Sequence, residues 1–285
     1  MGLGVKSVVW DYVKRVMADD VVGMSAELAY RFMFATFPFA IFLVALSGFV
    51  ASWTGMGDPS NRIINTIGRD LPADLVGPVK TQLEAALAHT QPGLLSIGAL
   101  ITLYAAAAGT SSIMKAMNRA YGVPESRPLA LRVLLAGVLT ALGGLAIVVS
   151  FAAIVGVTLM THQVVDRAGL HDAWPWLALL RWPTSFLLLV LAVAALLRYA
   201  PDLRTPWRWA LLSSTAFAFA WICATYVFGV YVARFASYDA TYGALAGVIV
   251  LMFWFYLSSF VLVCAAELAA LLVRLRSPEL LAKPD

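Results

Sequence analysis

A chain of 285 residues that is 61% hydrophobic and only 13% charged, with a mean hydropathy of +0.84, is not built for water; soluble chains carry about 25% charged residues. A net charge of +4 and a pI near 9.1 would suit a nucleic-acid binder, but the basic residues sit in short segments between apolar runs, where they set membrane orientation instead. Cys223 and Cys264 both lie inside apolar runs and behave there as small hydrophobes, so neither a disulfide framework nor a thiol metal site is indicated.

Residues 1–20 contain Trp10, Asp11, Lys14, Arg15, Asp19 and Asp20, with no continuous apolar core, so no cleaved signal is expected. Residues 5–23 place Val5, Val8, Val9, Tyr12, Val13 and Val16 three and four apart. This spacing predicts an amphipathic helix along the inner membrane surface. A first span is expected from Ala26 to about Trp53, loosened at Pro38, which has no N–H for the ladder. Residues 54–92 form an outer loop with two amphipathic helix starts, at Asp58-Pro59 and near Leu71-Pro72.

The second span is expected over 93–114, with a small-residue core, Ala105 to Ser112, suited to the centre of a bundle. Tyr104 stands beside it and is a candidate cavity residue. The third span is expected over 130–160, the fourth over 176–197 and the fifth over 209–231. The fourth is leucine-rich on all sides and reads as lipid-facing. The last helix is expected within Ser237 to Leu272, a stretch with no charge from Tyr242 to Ala266, long enough to cross a bilayer. Gly243 and Gly247 share one face of it, a helix-packing candidate that suits a contact within the chain or between chains. Glu267 marks its inner end. Most Lys and Arg fall at the N-terminus, in 115–132, in 198–208 and after 274, which places these segments in the cytoplasm.

The fold expected is therefore all-α: a polytopic membrane protein with six transmembrane helices, both termini cytoplasmic, plus short amphipathic helices. Its parts are a cytoplasmic amphipathic helix over 1–24, a transmembrane domain over 25–273 and a cytoplasmic tail over 274–285.

Three patches carry a resemblance. They are Ser25-Ala26-Glu27-Leu28-Ala29-Tyr30-Arg31-Phe32 leading to Phe37-Pro38; Asn118-Arg119-Ala120-Tyr121-Gly122-Val123; and Tyr238-Asp239-Ala240-Thr241-Tyr242-Gly243-Ala244-Leu245-Ala246-Gly247, with Glu267-Leu268 downstream. Together with the six-span layout, they make the chain similar to the YihY/BrkB family of bacterial inner-membrane proteins, formerly labelled ribonuclease BN. The resemblance implies a multi-pass protein of the bacterial inner membrane, linked to envelope integrity and transport.

The residues argue against the nuclease label. Metal-assisted phosphodiester hydrolysis needs carboxylates or histidines converging on a cation, yet His89, His162 and His171 all fall in expected outer segments, and no His-x-x-x-His or Cys-x-x-Cys is present. No catalytic residue, metal or cofactor is expected. On the inner side, Glu27, Arg31, Asn118, Arg119, Arg198, Asp202 and Glu267 form a candidate polar cluster. Such groups near one membrane face must pair or line a wet cavity, so the cluster is either a brace tying helix ends together or a gate. With no charge at mid-depth, the leading function is transport or flipping of an amphipathic, lipid-like envelope component; the alternative is a non-transporting scaffold. The expected partners are membrane lipids, a lipid-like substrate and a second copy of the chain, with no nucleic acid.

Overall fold

Long apolar runs can satisfy their backbone in lipid only by closing hydrogen bonds within a helix, and among the described residues all regular structure is helical. The computed structural model describes residues 5–36, 92–159, 174–235 and 244–280. The chain divides into two compact units, Met1–Tyr30 with Ala107–Asp285, and Arg31–Ala106. The helices are α1 (Val5–Ala18), α2 (residues 21–36), α3 (Pro92–Tyr121), α4 (Leu129–Leu159), α5 (Trp174–Tyr199), α6 (Trp207–Phe235) and α7 (Ala244–Arg276), with a short 3₁₀ turn at Pro278–Leu280.

Four helices contain windows long and apolar enough to cross a membrane: Leu129–Ala146, Trp182–Tyr199, Trp207–Ala233 and Ala246–Arg276. The expected second span lies on α3, and the start of the first on α2. The rest of the first span with Pro38, the outer loop up to residue 91 and the third patch up to Gly243 lie outside the described residues.

In the larger unit, α4, α5, α6 and α7 pack in chain order, each against the next, and α1 packs on α7. The expectation for α5 is corrected. Val190, Val193, Ala194 and Leu197 recur at helical spacing and are buried, whereas Leu187 and Leu191 on another face are exposed. Uniform leucine content concealed this two-sidedness, because shape and neighbours rather than hydropathy select the packed face in lipid.

The N-terminal helix also differs from expectation. It stops at Ala18, and Asp20 turns the chain with φ +53, a conformation that Asp tolerates better than most residues. The Asp20 carboxylate then accepts the Gly23 N–H at 3.2 Å and caps α2. α1 is thus a separate arm. The Tyr12 hydroxyl donates to the Cys264 carbonyl at 2.9 Å, fastening the arm to α7, and burial pushes the Tyr12 phenol up. Away from α7 the arm exposes Val9, Trp10 and Met17.

The tightest packing lies at the end of the bundle where the basic segments gather. There Ala265, Ala266, Ala269 and Ala270 of α7 are all buried, alongside Met114, Met117 and Tyr121 of α3 and Leu197 of α5. Two adjacent alanine pairs one helical turn apart let neighbouring backbones approach closely.

Candidate functional site at the basic end

The site begins with the way α3 stops. Gly122 takes φ +67, its N–H donates to the Arg119 carbonyl at 3.0 Å, and the Val123 N–H reaches back to Asn118 at 3.0 Å. This is a glycine-terminated cap in which the last carbonyls of the helix are satisfied. The Arg274 guanidinium of α7 lies 3.1 Å from where a Cβ on residue 122 would sit and donates to the Ala120 carbonyl at 3.2 Å.

With the helix ended there, Asn118 projects between two loops. Its Nδ2 donates to Glu125 at 2.9 Å, and its Oδ1 accepts the Asp202 N–H at 2.6 Å. Asp202 in turn accepts the Ser126 N–H at 2.7 Å and the Ser126 hydroxyl, and pairs with the Arg127 Nε at 3.0 Å. Arg127 spends its remaining donors on the Ala200 carbonyl, at 3.1 Å, and on the Pro201 carbonyl. Burial alone would raise the Asp202 pKa, but the Ser126 hydrogen bonds and the Arg127 charge outweigh it and hold the carboxyl below its usual value. Next to it, the Thr205 hydroxyl donates to the Tyr121 oxygen at 2.9 Å in a buried setting. Arg198 donates to the Thr205 carbonyl at 2.6 Å while its guanidinium lies over the Tyr199 and Trp207 rings, 5.4 and 5.1 Å from their centroids. Loop 122–128 and loop 200–206 are thereby locked into one polar clasp.

Glu267 is elsewhere. Its side chain is completely buried (0% exposed), and neither carboxylate oxygen has a hydrogen-bond partner. Arg15 and Asp19 of the N-terminal arm and Arg274 of its own helix act on it electrostatically. The end of the arm therefore lies close enough to act on this buried acid.

Glu27 occupies a third place. It lines a groove of about 110 Å³ together with Met24 and Leu28 of α2 and Ser112, Lys115, Ala116 and Arg119 of α3. Met24, Leu28, Ala116 and Ser112 are buried, while Glu27, Lys115 and Arg119 are exposed. The groove thus has a mainly apolar floor and a rim carrying one acid and two bases.

The seven residues expected in one inner cluster are thus distributed. Asn118, Asp202 and Arg198 hold the two loops, Glu27 and Arg119 share the groove, Glu267 lies under the arm, and Arg31 belongs to the second unit. In that second unit Tyr104 is 78% exposed. Gly243 lies outside the described residues; at Gly247 an added Cβ would meet nothing within 4 Å among them. Sequence reasoning missed Glu125, Ser126, Arg127 and Thr205 as partners, and Lys115 as a groove residue. The local signal available was Gly122 with Pro124 and Pro128, which marks a shaped turn rather than a slack linker. Among the described residues no group of three or more His, Cys, Asp or Glu side chains gathers to hold a metal, and the three histidines lie outside them.

Comparison with known proteins adds the family. YfkH of Bacillus subtilis, named a ribonuclease-like protein, is 32% identical over 250 residues, covering 87% of this chain and 88% of its own. A UPF0761 membrane protein of Ralstonia nicotianae is 30% identical over 207 residues, 72% of this chain and 45% of its own length. One from Pseudomonas aeruginosa is 27% identical over 256 residues, 89% of this chain and 60% of its own. The chain thus spans nearly all of the first relative and about half of the UPF0761 proteins. No solved structure matches it. The model of the family described as virulence factor BrkB matches residues 12–285. With that match, and with apolar helices of membrane-spanning length, this chain is a membrane protein belonging to the BrkB family.

Proposed function

We propose that the protein moves an amphipathic, lipid-like envelope component between the leaflets of the bacterial inner membrane, without catalytic chemistry of its own. The observation that supports this is the groove between α2 and α3, where an apolar floor made by Met24, Leu28 and Ala116 meets the charged rim of Glu27, Lys115 and Arg119. An apolar floor accommodates hydrocarbon, and a charged rim solvates a polar head. Ion-coupled carriers keep charged groups at mid-depth, whereas the apolar windows of α4, α5 and α6 are charged only towards their ends. The test is leaflet exchange of fluorescently labelled phospholipid in vesicles containing the full chain. Exchange should exceed that of protein-free vesicles and fall on Met24→Trp, which fills the groove; equal rates with and without protein would sink the proposal.

A scaffold is the second reading, favoured by the clasp. Loops bound by an ion pair and several hydrogen bonds suit a rigid platform better than a moving part.

A further inference from the structure

The groove has a charge pattern as well as a shape. Lys115 and Arg119 stand four residues apart on α3, so their heads share one face one turn apart. Two cations at that spacing suit a phosphate, which offers several acceptor oxygens. Glu27 lines the same groove from α2. A carboxylate beside a phosphate site is unfavourable for a purely anionic ligand and favourable for one that carries its own cation.

The nature of that cation follows from the lining. Among the described residues the groove is lined by Met24, Glu27, Leu28, Ser112, Lys115, Ala116 and Arg119, none of them aromatic. Quaternary ammonium groups have no N–H to donate and are recognised by aromatic cages. A primary ammonium donates hydrogen bonds and suits a carboxylate. Depth points the same way. Lys115 lies seven residues, about 10 Å along the helix, before the Gly122 turn, and α3 has 30 residues, about 45 Å against a hydrocarbon core of about 30 Å. With α3 as the expected second span, its last turns run through the head-group layer.

We propose that the groove binds the head group of a zwitterionic aminophospholipid, with the phosphate between Lys115 and Arg119, the primary ammonium at Glu27, and the chains leaving over Met24 and Leu28. This rests on the transport reading and names what would be carried.

The experiment uses the full chain in detergent mixed with equal amounts of phosphatidylethanolamine, phosphatidylcholine and phosphatidylglycerol, with retained lipid read by native mass spectrometry. The ethanolamine lipid should be retained several-fold over the other two. Glu27→Gln should reduce it to the level of the choline lipid, and Lys115→Ala with Arg119→Ala should lose all three. Equal retention by the unaltered chain overturns the proposal, as does a preference that survives Glu27→Gln. Displacement of the lipid by inorganic phosphate would assign the site to a soluble anion and also overturn it. Should the double variant fail to fold, Glu27→Gln alone decides. Selective binding without leaflet exchange would retire transport and keep this site; exchange without head-group selectivity would do the reverse.

Discussion

The two ends of the α6–α7 pair are held by different means. At the basic end, α7 presents a stripe of buried alanines, and the adjoining loops are locked by Asn118, Arg127 and Asp202. Farther along, aromatic rings do the packing: Phe228 lies 5.7 Å from Phe253, Trp221 lies 6.0 Å from Trp254, and the Trp221 N–H donates to Ser258 at 3.0 Å. Around Gly247 on α7, Val248, Ile249, Met252 and Phe253 are exposed. Large rings keep helix axes apart and leave faces open, whereas alanines draw axes together. Among the described residues, the buried small-residue face of α7 is therefore Ala-Ala-x-x-Ala-Ala, while the surroundings of Gly247 are open.

The largest effect should come from bulk at the alanine stripe. Ala269→Leu should destabilise the protein by about 1–3 kcal/mol or more, as overpacking does, and lower the yield of folded chain in detergent. Gly247→Leu should leave the monomer's thermal stability unchanged. If Gly247→Leu were the more damaging, the comparison would be reversed, unless the loss tracked a second copy of the chain by size-exclusion chromatography.

Next in size is the clasp. Arg127→Ala removes an ion pair and two hydrogen bonds to carbonyls, and should cost about 1.5–3 kcal/mol, the range for charged hydrogen bonds. Thermal unfolding in detergent would show it, and an unchanged midpoint would mean that the two loops are held by packing alone. The same clasp predicts an acid limb. Because Asp202 has a lowered pKa when folded, its contribution to stability is complete above the ordinary value of 3.8 and is lost as pH falls through the lower folded value. Asp202→Asn should be less stable than the native chain at neutral pH, and the gap should close in strong acid. A gap independent of pH would rule out ionisation as the source.

Of the changes at the basic end, Glu267→Gln should show the smallest effect. A carboxylate with no hydrogen-bond partner gives the fold little to lose on becoming a neutral amide, so melting should stay close to that of the native chain. A large drop would mean that Arg15 and Arg274 hold the acid more firmly than its bare oxygens suggest.

Much of the helical framework was legible because a membrane imposes length and apolarity on local sequence. The expected third and fifth spans coincide with α4 and α6 to within a few residues, and α7 runs on four residues past the Leu272 expected as the inner end of the last. The ends of the helices were less legible. Asn118 meets Asp202 across 84 positions, and Ser126 meets the same carboxylate across 76. Nothing periodic links such residues, since each lies in a short polar segment whose composition speaks only of loop. The alanine stripe was visible as letters, but a glycine pair is the more familiar sign of close packing, and only coordinates show which small-residue face meets a neighbour. The break at Asp20 was hidden for another reason: apolar spacing continues through it, and the turn depends on a single residue with φ +53.

The bond from Tyr12 to Cys264 joins residues 252 apart, and this separation has a consequence in time. During synthesis α1 emerges long before its seat on α7 exists. At roughly 5–20 residues per second the arm would wait for about ten to fifty seconds with Tyr12 unable to reach its acceptor. The arm therefore closes only once α7 has been translated past Cys264. Chains stalled before Cys264 should leave α1 open to protease, and full chains should protect it.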